Sequence, residues 1–216
     1  MNSASCYHPD VMDKPRVLAV ATRNKGKLAE IKDILKLKWR IAGLDEFPSI
    51  GEIPEEGKTF EENALAKARA VSQATGLTAL ADDSGIEVDA LGGRPGVYSA
   101  RFAGEGASDE DNNKKLLEVM KGIPPKNRSA GFVCVMAVVT SDGIEKLVRG
   151  ECNGAILEAP RGTLGFGYDP LFYYPPMGKT YSEMSPEEKN GISHRFRALS
   201  KLKGILPGLL NEDVVK

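Results

Sequence analysis

Residues 79–102 read ALADDSGIEVDALGGRPGVYSARF. Ala79 to Ala81 predict the end of a short apolar strand, and Ile86, Val88 and Ala90 alternate as a further one. Between them stand two adjacent carboxylates, Asp82 and Asp83, then Ser84 and Gly85. Neighbours on an extended chain point to opposite faces, so one aspartate can look into a cleft while the other turns to structure. A carboxylate at the end of a buried strand, beside a glycine turn, suits a divalent metal or an oriented water. The same residues equally suit a polar turn closed by Asx-type hydrogen bonds, with Gly85 at positive φ. Gly92, Gly93, Pro95 and Gly96 then predict a tight, rigid bend.

Upstream, Arg16 to Ala21 predict a strand, and Leu28, Ile31, Ile34 and Leu35 recur at helical spacing. The turn between them, Thr22, Arg23, Asn24, Lys25, Gly26 and Lys27, carries no apolar residue. Backbone N–H groups and the helix dipole favour an anion there, while basic side chains at that end oppose the dipole and ask for one. The turn is not a Walker A loop, and an ordinary βα turn with solvated lysines is the plainer alternative. Trp39 to Leu44 predict a second strand, and residues 45–58, with Glu52, Glu55 and Glu56, an acidic loop. Thr59 and Glu62 form a capping box ahead of a helix whose apolar face is Phe60, Ala64, Leu65, Ala68 and Val71, ending near Gly76.

Downstream, Ser108 caps a predicted helix over 109–121, with Leu116, Leu117 and Met120 inward. Arg128 to Thr140 predict a long strand, Ser141 to Gly143 a hairpin turn, Ile144 to Asn153 the return, and Ala155 to Leu157 another strand. In GTLGFGYDPLFYY (162–174) a glycine lets backbone approach a flat ligand and an aromatic ring can stack on a base; an aromatic turn packed on a core fits the same residues. Ser185, Pro186 and Glu188 begin a last helix running to Pro207, with Lys189, Ser193, His194 and Arg195 in one polar patch suited to an anionic or hydrogen-bonding ligand. Alternating strands and helices, then a strand-rich section and a closing helix, predict α/β with a mixed sheet.

The chain has 216 residues, enough for one large domain or two intimate lobes. Its net charge of −1 offers no global case for nucleic acid. Cys6, Cys134 and Cys152 have neither metal nor disulfide spacing, so a reducing cytosol is the expected compartment. No apolar run approaches the roughly 20 residues of a membrane helix. Residues 1–14 lack the pattern of a secretory signal and are expected to form a dispensable flexible tail, His8 within it and Met12 an alternative start.

Six segments in order, TRNKGK (22–27), EEGKTFEENA (55–64), ADDSG (81–85), GGRPGVYSARFAGEGA (92–107), GFGYDP (165–170) and EEKNGISHR (187–195), make the chain resemble the inosine triphosphate pyrophosphatase family over residues 17–203. The resemblance implies two α/β lobes, one domain over 15–216, around a long curved mixed β-sheet with flanking helices and the active-site cleft between the lobes. It implies a homodimer that hydrolyses ITP, dITP or XTP to the monophosphate and pyrophosphate with Mg²⁺. Thr22, Arg23, Asn24, Lys25, Gly26 and Lys27 then look like the triphosphate turn, with Arg23 where many members carry glycine. Asp83 looks like the catalytic base and a metal ligand, Glu55 the second acidic ligand with Glu56 as the alternative register, and Ser84 a substrate contact. Phe166, Gly167, Tyr168 and Asp169 look like the base-binding segment, with Lys189, His194 and Arg195 completing it. A Maf-like pyrophosphatase for other nucleotides and a non-catalytic nucleotide-binding module are the alternatives.

Overall fold

The apolar runs predicted as strands pair edge to edge. In the computed structural model, which describes residues 16–35 and 39–209, the strands are Val17–Val20 (β1), Arg40–Gly43 (β2), Thr78–Val88 (β3), Ser129–Val139 (β4), Glu145–Ile156 (β5), Phe172–Tyr174 (β6) and Lys179–Thr180 (β7). They form one open sheet in the order β2-β1-β3-β4-β5-β6-β7. β1 runs parallel to β2 and β3, and every later pairing is antiparallel. The expected tail, with Cys6, His8 and Met12, lies outside the described residues.

Alternation along the strands puts an apolar row on each face of the sheet. Leu18, Val20, Leu80 and Met136 pack beneath Lys25–Leu35 (α1) and His194–Leu209 (α5) through Ile31, Leu35, Leu199 and Leu202. On the other face Ala19, Ala81, Val133 and Val135 meet Phe60, Ala64, Ala68 and Val71 of Phe60–Thr75 (α2). A third cluster, built on Ile86, Phe132, Phe172 and Tyr181, takes Leu116 and Met120 from Asp109–Val119 (α3) and its C-cap, at the far end of the sheet. Each buried leucine or isoleucine contributes about 2 kcal/mol. The α2 capping box is present: the Thr59 hydroxyl accepts from the Glu62 N–H at 3.1 Å, a cap worth about 1 kcal/mol.

Three expectations are corrected. Asp82 to Gly85 are not a turn between two strands but the middle of β3, paired with Met136 to Val133 of β4. The long apolar β4 offers an unbroken hydrogen-bonding partner, and the Ser84 hydroxyl finds its acceptor on Asp82 at 2.9 Å instead of in a local turn. The strand expected at 155–157 is for the same reason the end of β5. The last helix is two: Pro186–Asn190 (α4), then α5 after Gly191 to Ser193, with Pro207 inside α5. The left-handed glycines of this region are Gly92, Gly93 and Gly96, around the cis Arg94–Pro95 peptide.

The position of the site follows from unequal strand lengths. β1 pairs with β3 only from Thr78 to Leu80, then turns away at Thr22 into α1. Beyond that point the β1-side edge of β3 carries no strand. Gly85 lets residues 96–99 close over it, since a Cβ there would overlap the Gly96 carbonyl and the Ser99 hydroxyl. The cavity between belongs at the carboxyl end of the parallel strands, where open α/β sheets bind ligands.

Candidate active site

Two adjoining cavities occupy this place, and Lys27 lines both. The first, about 470 Å³, is walled by Thr22, Arg23 and Lys27, by the loop Gly51 to Glu55, and by Lys67, Asp82, Arg101 and Glu105. The second, about 190 Å³, is lined by Asn24, Ser84, Phe132, Phe166 to Asp169, Lys189, His194 and Arg195, among others. The polar turn, the acidic loop, the aromatic segment and the Lys189–Arg195 patch, far apart in the chain, thus share one cleft. Lys25 and Gly26, in the first turn of α1, and Asp83 line neither cavity.

The turn 22–27 is internally braced. The Thr22 hydroxyl accepts from the Asn24 N–H at 3.1 Å, and the Asn24 side chain accepts from the Lys27 N–H at 3.1 Å. No acidic side chain lies in the first turn of α1; Asp82, 3.0 Å from the Lys27 ammonium, supplies negative charge from the strand. Arg23 reaches across the cleft mouth to the Ile50 carbonyl, tying this turn to the acidic loop.

The two aspartates face opposite ways. Burial by itself would raise the Asp82 pKa, but Lys27, then Arg195 and Lys67, outweigh it and hold the carboxyl well below its usual range. Asp83, on the α2 face, accepts from Asn63 Nδ2 at 3.1 Å and from Lys67 Nζ at 3.1 Å. The same ammonium lies 2.6 Å from Glu55 Oε1. Burial raises the Asp83 pKa, Glu55 adds like charge, and the shared Lys67 offsets them only in part. For Lys67 the order reverses: burial pulls its pKa down, but Asp83, Asp82 and Glu55 together push it up. Glu56 is exposed and lines neither cavity.

Glu55 and Asp83 thus converge on one cation position. Among the described residues no group of three His, Cys, Asp or Glu side chains is arranged to hold a metal. A hard ion that keeps its waters needs only one or two carboxylates plus substrate phosphates, and this pair fits such an ion.

In the second cavity Arg195, 2% exposed, lies between Glu30, with which it pairs, and Asp82, 3.7 Å away. Burial disfavours its charge, but Asp82 and Glu30 overcome this and raise its pKa. Lys189 pairs with Asp169 and sits 4.7 Å over the Phe166 ring. Asp169 also accepts from the Phe166 N–H at 2.9 Å. Burial raises the Asp169 pKa, partly offset by Lys189. His194 stacks on Phe132 at 4.7 Å, and burial, then Arg195 and Lys189, drive its pKa well below the ordinary range. His194 Nδ1 and Arg195 Nε are buried without a hydrogen-bond partner. Both atoms belong to residues that line this cavity, and each leaves hydrogen-bonding capacity unused beside it.

Sequence reading missed Lys67, Asn63, Asp82 as a cavity wall, Arg101 and Glu30. Lys67 and Asn63 did leave a signal: two polar residues four apart, flanked at each step by the buried Ala64 and Ala68.

Known proteins share this arrangement of elements. The family model described as Ham1 family matches residues 18–205. A curated relative from Geobacter sulfurreducens, named dITP/XTP pyrophosphatase, is 54% identical over 187 residues, covering 86% of this chain and 94% of its own length. The Ham1 protein structure from Staphylococcus aureus is similar with a TM-score of 0.82 at 41% identity, covering 90% of this chain and 100% of that one. The HAM1 protein from Coxiella burnetii gives 0.83 at 42% identity, with 89% and 99% covered. With a family model matched over most of its length, a relative 54% identical and a closely similar fold, the chain belongs to the Ham1 family.

Proposed function

We propose that this protein hydrolyses non-standard purine nucleoside triphosphates, dITP, XTP and ITP, to the monophosphate and pyrophosphate. The observation that carries the reading is the paired cavity: an aromatic, donor-lined pocket that shares Lys27 as a lining residue with a cleft of cations and carboxylates. The name carried by the Geobacter relative supports the same reaction.

The purine lies against Phe166 in the smaller cavity. The triphosphate, with about four negative charges, extends past Lys27 toward Lys67, Arg23 and the first turn of α1. Glu55 and Asp83 would hold Mg²⁺, which when bound neutralises phosphate charge and polarises the α-phosphoryl group. Asp83, kept basic by burial, orients a water and takes its proton. The water oxygen bonds to the α-phosphorus, the bridging α–β P–O bond breaks, and pyrophosphate leaves with the bond electrons. Ser84, which lines the smaller cavity, supports the nucleotide there.

Specificity rests on O6 of the purine. Lys189 and Arg195 offer donors, and a neutral His194 can donate as well. Adenine presents an amino group at that position, so donor would face donor, a buried mismatch that discriminates by about 10⁴-fold. The active unit is read as one two-lobed domain over 15–216, in a homodimer, which sedimentation tests. Free, buried Cys134 and Cys152 suit a reducing cytosol.

The deciding experiment is pyrophosphate release with Mg²⁺ across ITP, XTP, dITP, GTP, ATP and a pyrimidine triphosphate. Release confined to non-standard purines supports the reading. Equal rates on ATP and ITP refute the O6 account, and release from none moves the protein to the Maf-like substrates or to a binding role.

A further inference from the structure

The first turn of α3 touches both walls of the smaller cavity. On one side, Asn112 Nδ2 donates to the Ala100 carbonyl at 3.1 Å, and its Oδ1 accepts from the Ala103 N–H at 2.9 Å. On the other side the peptide groups of Gly167 are held at both ends. The Asp109 carboxylate accepts from the Gly167 N–H at 2.6 Å, and Asn113 Nδ2 donates to the Gly167 carbonyl at 2.9 Å. The Tyr168 hydroxyl closes the frame by donating to the Ser99 carbonyl at 2.8 Å. Gly167 has φ of +62°, and a Cβ built on it would meet open space rather than a packing neighbour. Its neighbour Phe166 is 36% exposed, so the ring that faces the cavity has little core behind it.

We propose that Asp109 and Asn113 are positioning residues for purine recognition: they fix Gly167 and so set the height of the Phe166 ring above the cavity floor. One hydrogen bond to each of the two peptides that flank the Gly167 Cα restrains the Phe166–Tyr168 segment against both a shift and a flip. α3, anchored by Leu116 in the third core cluster and by its own capping box at Ser108 and Asp111, supplies the rigid support. Asn112 fixes the opposite wall from the same turn, so the separation of the walls is written into one helical turn. A stacked base needs that separation set before it arrives, because ordering a loop on binding costs affinity. Neither Asp109 nor Asn113 transfers a proton or meets the phosphates; their effect falls on the base end of the substrate.

The inference rests on the proposed purine substrate, and wild-type pyrophosphate release from ITP checks that reading independently. The test compares wild type, the double variant Asp109→Ala/Asn113→Ala, and Asp109→Asn, which keeps an acceptor for the Gly167 N–H. Calorimetry measures affinity for inosine monophosphate and, separately, for inorganic pyrophosphate; steady-state kinetics give KM and kcat for ITP. The double variant is expected to bind the monophosphate about tenfold more weakly and to raise KM more than it lowers kcat. Its pyrophosphate affinity should hold, and Asp109→Asn should recover most of the loss. Unchanged monophosphate affinity overturns the proposal, as does a parallel loss of monophosphate and pyrophosphate affinity. Should the double variant not fold, Asn113→Asp carries the test alone: it removes the Nδ2 donor and sets a carboxylate against the Gly167 carbonyl. Monophosphate binding unaltered in that variant overturns the proposal equally.

Discussion

Asp82 and Asp83 are adjacent on β3, yet each holds the ammonium of a different helix: Lys27 of α1 lies 3.0 Å from Asp82, and Lys67 of α2 lies 3.1 Å from Asp83. The alternation of the strand sends them to opposite faces of the sheet. Asp82 is paired on its face with Lys27 and Arg195. Asp83 shares its lysine with Glu55, so its negative charge is only partly compensated. A carboxylate in that state is the better proton acceptor.

Replacing the two aspartates should therefore have different consequences. Asp83→Asn is expected to lower turnover at least about 10²-fold with little loss of stability. Asp82→Asn leaves Arg195 buried with half its counter-charge and should cost about 3 kcal/mol of unfolding free energy. Urea unfolding and pyrophosphate release on both variants check this. Near-normal turnover in Asp83→Asn removes it as the base.

Lys67→Met takes away the cation between Glu55 and Asp83. Because Glu55 is about a third exposed, the loss should be about 2 kcal/mol rather than the larger figure for a fully buried pair. Millimolar Mg²⁺ should restore part of it, by placing a cation where the lysine was. Unfolding curves with EDTA and with Mg²⁺ measure the difference. A variant that Mg²⁺ does not stabilise more than wild type would show that these carboxylates are not the metal pair.

His194 gives the pH dependence. Its folded pKa is depressed, first by burial and then by Arg195 and Lys189. Below about pH 6.5 the unfolded chain takes up a proton that the folded imidazole refuses. Stability therefore rises with pH through that region and falls as pH is lowered from about 7 to 5. Asp83 and Asp169, with raised pKa values, pull the other way, so the comparison that isolates the histidine is wild type against His194→Gln. The variant should lose less stability on acidification, read from urea midpoints without nucleotide. Parallel curves would mean that the folded imidazole titrates freely.

Much of the fold was legible because it is written in local patterns. The run 17–20, the box Thr59–Glu62 and the apolar stripe of α2 depend on residues within a few positions of one another, and the structure keeps them. Asp82 to Gly85 misled because they are locally turn-like. Only β4, some fifty residues on, makes them a strand by offering a continuous hydrogen-bonding edge. Glu30 in α1 showed nothing in sequence, since its partner Arg195 is 165 residues away.

The sequence by itself determined the α/β alternation, the helix caps and, through six motif segments, the stretches of chain that line the cleft. It did so because backbone preference and side-chain chemistry are properties of short stretches. Tertiary structure decided which aspartate lines the cavity and which stands behind Lys67, that Glu55 rather than Glu56 faces Asp83, and that α3 braces both walls of the smaller cavity. Those outcomes depend on strand register and helix docking, where one residue of shift reverses a side chain's face, and no local pattern carries that information.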